Sequence, residues 1–497
     1  MRMKRILNTE QLTNHGNKTL RNHVVQILET GMQASNPYNN MLKLFSLEGD
    51  KLTIGNPAFE PIGAPVTGQE TIDLTKDIDR IFVVGAGKGI QFAAKALEDI
   101  LGDRLDGGFV IVKHGDEPIL SKIHVSFGGH PLPDADCVDS CNALISFIKS
   151  KALTQRDLVI TLTGNGMSSL LSCPVDEVPL EAVQNTVRIM QIEHGLNTLL
   201  VSAVRNQLDK LKGGRISKLL HPAKMVHTLL IDCNYRNCKM PGYAGLTRGN
   251  FWLHFLPENG TPQEAIQIMR DYSVWEEVDE CVRSYLLGAA KDNPTLTAAE
   301  FEKMNTRIFG IMPEKPSFIT AAMEKAQELG YTPYLVDKGM GLEASQIGWF
   351  MSNMAMMCDD EDIPFKPPCA LFRGGECVVT VGKNGGVGGR NQEFALMAGL
   401  RMAGRCRIAV GAVDTDGTDG PGGTFDDAAT AQGITCLAGG VCDGDTLREA
   451  REKGIDLEEA LRGHATSSAL WKLDSGVVAT QNISLQDLVV ILVQGKE

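Results

Sequence analysis

Nowhere in these 497 residues does an apolar run approach the roughly 18 needed to span a membrane. No CxxC pair occurs among the 12 cysteines. Their closest sets, Cys137/Cys141, Cys233/Cys238 and Cys436/Cys442, are too dispersed for a zinc or disulfide framework and read as reduced thiols filling small apolar gaps. Basic residues are in deficit, 48 Lys and Arg against 61 Asp and Glu, for a net charge of −13. A nucleic-acid surface would then need a purely local attraction for phosphate, so nucleic acid is not expected as a partner. A small anion held by a few converging cations remains compatible with that balance. The basic start Met1-Arg-Met-Lys-Arg5 is followed by Asn8, Thr9, Glu10 and Gln11, where a signal peptide needs its apolar stretch, so a cytoplasmic location without membrane attachment is expected. HExxH, GxSxG and Cys–His patterns are lacking. So are internal repeats of roughly 20–50 residues.

Glycine is plentiful, at 52 residues, and much of it follows short apolar runs. That punctuation belongs to α/β proteins, whose tight turns join strand ends to helices. Ile81–Val84, Phe109–Val112, Ile123–Phe127, Leu158–Leu162 and Thr228–Ile231 read as strands of a parallel, doubly wound sheet. Ile90, Ala94, Leu97 and Leu101 share one helix face. Leu196–Leu211 reads as a helix closed by Gly213-Gly214. The proline-rich stretch 236–316, with a helix around Pro262–Leu287, interrupts the alternation. A second α/β block starts near Phe318, with a helix through Leu329 and strands at Tyr331–Val336, Ala370–Phe372, Val378–Val381, Ile408–Val413 and Leu488–Val493. The expected organisation is an α/β protein with a Rossmann-like parallel-sheet domain over 1–235, a connecting region over 236–316, and a second α/β domain over 317–497. The first stretch of about 45 residues is expected to pack on the second domain, and a cleft is expected between the two.

Four glycine-rich loops carry candidate chemistry. Gly85, Gly87 and Gly89 surround Lys88 where a strand meets a helix, an arrangement that brings amides, a helix N-terminus and an ammonium to an anion. The loop matches neither a Walker motif nor GxGxxG, because Gln91 or Phe92 stands where the third glycine belongs. A tight turn with a solvated lysine is the plainer reading. Gly164, Asn165, Gly166 and Ser168 follow the Leu158–Leu162 strand, at the sheet edge where open α/β folds bind ligands; a plain turn fits as well. Glu376 and the run Gly385–Gly389 precede an apparent helix Asn391–Met402. There Gly388, Gly389, Asn391 and Arg390 suit a carboxylate or phosphate. Asp414, Asp416 and Asp419 lie on an acidic glycine loop after Ile408–Val413, suited to Mg²⁺ or to a base acting on a hydroxyl. Surface Asx turns are the alternative. Together these parts suit phosphoryl transfer to a small anionic metabolite.

VVGAGKG (83–89), GGHPLPD (128–134), VRNQLDKLKGGRIS (204–217), GGECVVTV (374–381), GGVGGRNQEFAL (385–396) and TDGTDGP (415–421) occur in this order along the chain. With them the chain resembles the glycerate 2-kinase family, which pairs a glycerate-kinase domain with a MOFRL domain. The resemblance implies phosphorylation of the 2-hydroxyl of D-glycerate, or a closely related small hydroxy acid, with ATP and Mg²⁺. It implies Lys88 and Arg390 as catalytic cations, and Asp416 or Asp419 acting on the hydroxyl or the metal. Arg205 and Lys212 would line the same cleft, and Asp232 would join Asp414 and Asp416 as metal ligands. Four stretches depart from the family pattern: SGGGSAL becomes TGNGMSSL, a Ser-Gly-Pro-Thr segment is replaced around Leu253–Thr261, TGPTGTNVND becomes ATQNISLQD (479–487), and an upstream Asn-Asp becomes Gly463-His464. These departures motivate the alternative of a non-kinase isomerase, lyase or reductase acting on a sugar-acid-like anion, and behind it a silent binding relative. Oligomeric state, including a homodimer, stays open.

Overall fold

A strand shielded on both faces has no reason to alternate polar with apolar residues, and Asp157–Thr163 is buried at every position. It belongs to a sheet of six parallel strands in the computed structural model, which describes residues 4–130, 132–234, 242–249, 251–313, 318–381, 385–480 and 486–496. The chain divides into two compact units. One is Pro37–Pro313; the other joins Met1–Asn36 to Glu314–Glu497.

In Pro37–Pro313 the strands Ile123–Gly128, Gly107–Lys113, Arg80–Ala86, Asp157–Thr163, Lys224–Leu229 and Thr306–Gly310 lie side by side in that spatial order. Numbered along the chain, this is 3-2-1-4-5-6, the doubly wound arrangement. The Ile90–Leu101 helix buries Ile90, Ala94, Leu97 and Leu101, the residues of its apolar stripe. Asp134 caps the Ala135–Ser150 helix by accepting from the Cys137 amide at 3.0 Å. A small antiparallel sheet of Phe45–Glu48, Lys51–Ile54 and Glu70–Asp73 adjoins.

Several expectations shift. The 236–316 stretch, read as a connector, contributes helices and the edge strand Thr306–Gly310 to this unit. Arg307 disguised that strand. It is buried, paired with Glu60 at 2.9 Å and lies over the Phe309 ring. The helix expected around Pro262–Leu287 is two, Pro262–Asp271 and Glu280–Leu287, separated by a turn in which Ser273 takes φ +61°. The Leu196–Leu211 helix is shorter, Thr198–Arg205 with one further tight turn to Leu208. Leu208 and Leu211 pack into different apolar clusters. Gly213 and Gly214, at φ +64° and +78°, turn the chain into the Arg215–Leu220 helix and are no C-cap. The strand expected at Thr228–Ile231 runs Lys224–Leu229.

The other unit holds a mixed sheet in the order Thr332–Asp337, Cys369–Arg373, Asp487–Val493, Ile408–Asp414, Gly439–Asp443, Gly476–Val477. Only the first pair is parallel. Gly439–Asp443 escaped the sequence reading because it opens on two glycines. A Cβ at Gly439 would stand 1.9 Å from the Ala412 carbonyl oxygen, so only glycine fits. The Val378–Val381 expectation shrinks to Cys377–Val378, paired with Leu342–Glu343. The amino-terminal helix Lys18–Ala34 covers the sheet, packing Val24 and Leu28 with Val413 and Val490. At Gly411 a Cβ would meet Val24 Cγ1 at 2.4 Å, so the bare backbone lets the helix approach. No described helix is long and apolar enough to cross a membrane.

Arg21 pins that helix. It is fully buried, and its guanidinium donates to the carbonyls of Leu12 and Val441 and to Ser475 Oγ, with Asp443 at 3.4 Å. Removing one member of such a buried set strands the rest. Arg21→Ala should therefore cost about 3–5 kcal/mol in this unit, read as an early transition in urea melts.

Candidate functional site

Strand order reverses between Arg80–Ala86 and Asp157–Thr163, so the loops leaving these neighbours part to opposite sides and open a crevice at the carboxyl edge. Both candidate glycine loops of Pro37–Pro313 emerge there. Gly87 takes φ +136°, and a Cβ on it would stand 2.4 Å from Gly164 Cα. The Lys88 amide donates to Asn165 O at 2.8 Å, and the Gly164 amide to Ala86 O at 3.0 Å. The two loops are thus laced backbone to backbone. Gly89, at φ +68°, opens the Ile90–Leu101 helix, whose first amides lack intrahelical partners. Gly85 lies inside its strand, against Leu162; its lack of a side chain serves packing and presents nothing to a ligand.

The Lys88 side chain is half-buried and enters no ion pair among the described residues. Lys113 stands nearby with Asp116 at 3.5 Å. His130 packs on Gly166, where a Cβ would lie 2.5 Å from its ring. Burial, then Lys88 and Lys113, lower its pKa, so the imidazole is neutral beside two ammonium groups.

Next to these loops is a cavity of about 440 Å³, lined by Asn165, Gly166, Met167, Ser168, Thr198, Leu199, Ser202, Gly249, Phe251 and Trp252. Two of its hydroxyls are backed by buried groups. Ser168 Oγ lies 2.9 Å from His254 Nε2, and Ser202 Oγ accepts from Arg205 Nη2 at 3.2 Å. Deeper in this unit, His254 Nδ1, Asn206 Oδ1, Glu258 Oε1, Arg205 Nε and both amide atoms of Gln207 are buried without hydrogen-bond partners among the described residues. Each such atom costs roughly 1–3 kcal/mol, a concentration typical of functional sites. Burial raises the Glu258 carboxyl to about 7 despite the Asn206 hydrogen bond. His254 is driven well below an ordinary histidine by burial, then by Lys212, Arg205 and Arg215. The sequence reading found Ser168 and Arg205 here but missed Ser202 and Gln207, which sit among the apolar positions of the Leu196–Leu211 pattern, and Phe251, Trp252, His254 and Glu258, which lie in a segment without a regular pattern.

Lys212 is a correction. Expected to bind substrate or phosphate, it is fully buried, and its three donors go to Leu171 O, Ser172 Oγ and Asp209 Oδ2. No donor is left for a ligand. Asp232 follows the Lys224–Leu229 strand and accepts from the Asn234 amide.

The second cluster lies wholly in the discontinuous unit. Arg390 begins the Arg390–Arg401 helix, donates through Nε to both Asp487 oxygens at 2.9 and 3.0 Å, and through Nη2 to Asp414 at 2.7 Å. Burial alone would lower its pKa; Asp487, Asp414 and Glu376 raise it instead, and Glu376 stands 3.9 Å away. Asp414 is pushed well above the ordinary carboxylate range by burial and then by Asp416 and Asp487. Carboxylates there exceed what Arg390 and Arg5 offset. Arg5 donates to Thr415 O and is itself pulled to about 10 by burial.

Asp419 and Asn391 are also reassigned. Asp419 accepts from the amides of Asn391 and Gln392 at 3.1 and 2.9 Å, which caps the Arg390–Arg401 helix. Those amides are closed to an outside anion, and the carboxylate is spent as a cap. Burial raises it to about 6. The Asn391 side chain bridges Asp419 and Asp487. Gly388 and Gly389 are bare because Thr466 and Asp419 press on them; a Cβ at Gly388 would lie 2.5 Å from Thr466 Oγ1, and one at Gly389 2.2 Å from Asp419 O. Asp487 was missed as a site residue: it closes the altered 479–487 stretch and opens an apolar strand. Residues 481–485 of the altered 479–487 stretch lie outside the described residues.

Asp414 and Asp416, with this surplus of carboxylate charge, suit an oxygen-ligated divalent cation. Asp232 belongs to the other unit. Among the described residues, a group of three metal-type donors within 4.8 Å occurs only at His114, Asp134 and Asp136.

A family model described as "Domain of unknown function (DUF4147)" matches residues 23–287, and the MOFRL family model matches 369–483. The chain is 28% identical over 474 residues to a glycerate 2-kinase of Pyrococcus horikoshii, covering 95% of this chain and 97% of that one. It is 28% identical over 423 residues to a putative hydroxypyruvate reductase of Agrobacterium vitis, covering 83% and 99%. The crystal structure of a glycerate kinase from Thermotoga maritima matches with a TM-score of 0.74 at 25% identity, covering 96% of this chain and all of that one.

Lys212→Met leaves Asp209 buried without its cation and should destabilise by about 3–5 kcal/mol, measured by urea unfolding. Glu258 in the folded chain holds a proton to about pH 7 that the unfolded chain releases near pH 4.5. Its contribution to stability therefore falls as pH rises through that window and is unfavourable above it. Glu258→Gln, which keeps an acceptor for Asn206, should raise the melting temperature at pH 8 by roughly 2 °C or more and lose that advantage at pH 5.

Proposed function

The chain belongs to the glycerate 2-kinase family built from DUF4147 and MOFRL domains, and from that premise we propose that it transfers a phosphoryl group from ATP to the 2-hydroxyl of D-glycerate or a closely related small hydroxy acid. The observation that carries this reading is the Lys88 ammonium, free of any described ion pair beside two interlaced glycine loops and a helix start at the reversal of a 3-2-1-4-5-6 sheet. A phosphoryl transition state spreads negative charge over oxygens and needs positioned cations more than a covalent nucleophile.

Lys88 neutralises charge on the transferring group, with the helix amides beyond Gly89 behind it. In the discontinuous unit Arg390 is the second candidate cation. Asp487 and Asp414 take its Nε and Nη2 and so fix the plane of the fork, which leaves Nη1 to meet an anion. Asp414 and Asp416 would hold Mg²⁺, which would supply charge neutralisation to the donor's phosphates. Asp419 is no base in this scheme, because its oxygens hold the helix that carries Arg390. The eleven described cysteines are all free, which supports a reducing, cytoplasmic setting.

The strand order also suits a nicotinamide dinucleotide, which favours hydroxypyruvate reduction as the second reading. The loop at 85–89 lacks the third glycine of that fingerprint. Purified protein should release ADP from Mg-ATP only when D-glycerate is present, and should leave NADH unoxidised with hydroxypyruvate. Lys88→Ala and Arg390→Ala should each lower kcat by about 10²–10³-fold, with Lys88→Ala melting close to the wild type. Near-normal turnover in both variants would remove these roles, and NADH oxidation in place of ADP release would replace the reaction.

A further inference from the structure

The cavity beside the 163–168 loop has walls unlike the cationic loop next to it. No charged side chain among the described residues lines it. A carboxylate or phosphate inside would meet hydroxyls, the Asn165 amide and apolar surface, and no cation among the described lining residues. Phe251 and Trp252 offer flat aromatic faces, and Met167 and Leu199 add apolar wall. Ser168 and Ser202 place two hydroxyls in this setting. The volume of about 440 Å³ is in the range of roughly 300–1,000 Å³ that takes ligands much larger than a three-carbon acid. A flat, neutral guest with polar edges satisfies each of these features.

Position adds a second argument. Asn165 lines the cavity, and its carbonyl holds the Lys88 amide at 2.8 Å. An elongated guest with one uncharged and one anionic end would lie from the cavity to the lysine.

The hydroxyls are not free rotors. Ser202 Oγ accepts a charged donor from Arg205, which turns its proton outward. Ser168 Oγ is held by His254 Nε2, and His254 is buried with Nδ1 unpartnered among the described residues. A neutral imidazole with no acceptor for Nδ1 carries its proton on Nε2, so it donates to Ser168 and leaves the serine proton for a guest. Ser168 comes from the loop that departs from the family pattern at 163–169, and His254 from the departure at 253–261. Two stretches separately altered in sequence therefore meet in one hydrogen bond.

We propose that this cavity receives the nucleoside end of the phosphoryl donor, its base against Phe251 and Trp252 and its polar edge read by Ser168 and Ser202, with His254 and Arg205 as the positioning residues behind them. The inference rests on the kinase reading for the identity of the donor. Occupation of the cavity is measured apart from turnover.

Adenosine, which has no phosphate for Lys88, is titrated calorimetrically into the full chain. KM values for ATP and D-glycerate are measured in parallel. Leu199→Trp, which fills a partly exposed wall, should weaken adenosine and raise the KM for ATP at least tenfold while leaving the KM for D-glycerate within twofold. Ser168→Ala should do the same more mildly. His254→Ala should match Ser168→Ala, and His254→Gln, which restores a donor to the serine, should recover most of the loss; a purely structural role would show no such rescue. The proposal is overturned if the glycerate KM moves and the ATP KM does not, which assigns the cavity to the acid. It is equally overturned if folded Leu199→Trp alters neither adenosine binding nor the ATP KM. Should Leu199→Trp fail to fold, Ser168→Ala decides by the same two readings. Absence of ADP release in the wild type with every hydroxy acid tried would sink the kinase reading, while the adenosine titration would still decide the cavity.

Discussion

Two residues without side chains stand at the centre of the Pro37–Pro313 unit. Gly87 and Gly164 approach so closely that a single Cβ on the former would lie 2.4 Å from the backbone of the latter. That contact closes the first and fourth strands of a doubly wound sheet at their carboxyl edge. Asn165, Gly166 and Ser168 take their places from it, as does the start of the Ile90–Leu101 helix. A side chain at either position would spread the loops and move Lys88 away from the cavity beside it. The binding surface follows from a backbone constraint, and the polar side chains act on a frame that the glycines have already set.

The discontinuous unit solves a different problem. It gathers Asp414, Asp416, Asp419 and Asp487 near two guanidinium groups, Arg390 and Arg5, and buries most of them. Burying carboxylates in such number is tolerable only when each is paired or capped. Asp419 spends its charge on helix amides, Asp487 on Arg390 and Asn391, and Asp414 on Arg390. What is left over is negative, and it falls on the loop that carries Asp414 and Asp416. A cation binding there removes repulsion that the fold alone leaves in place.

The sequence makes strand ends and their glycine turns legible, because a tight turn after an apolar run leaves a mark within a few residues. The strands at 80–86, 107–113, 123–128, 157–163, 408–414 and 487–493 were visible for that reason. Long-range roles were not. Lys212 stands beside two glycines much as Lys88 does, and only burial separates a structural pin from a ligand-facing cation. Asp419 sits in an acidic loop that resembles a metal site, yet it caps a helix through the amide of Asn391, 28 residues earlier. Thr306–Gly310 was hidden by Arg307, whose partner Glu60 lies far upstream. His254 and Glu258 fall in a stretch without periodicity, and their importance lies in partners they lack.

The helix Lys18–Ala34 is synthesised well before the strands beneath it, Ile408–Asp414 and Asp487–Val493. At synthesis rates of roughly 5–20 residues per second, that helix waits on the order of 20–90 seconds for its seat. Throughout that interval its apolar stripe of Leu20, Val24, Ile27 and Leu28 has no sheet to cover. The intervening Pro37–Pro313 stretch is contiguous and can close on its own in the meantime. Biosynthesis of this protein thus leaves a sticky segment in the open until Asp487–Val493 emerges, a natural client for a holding chaperone.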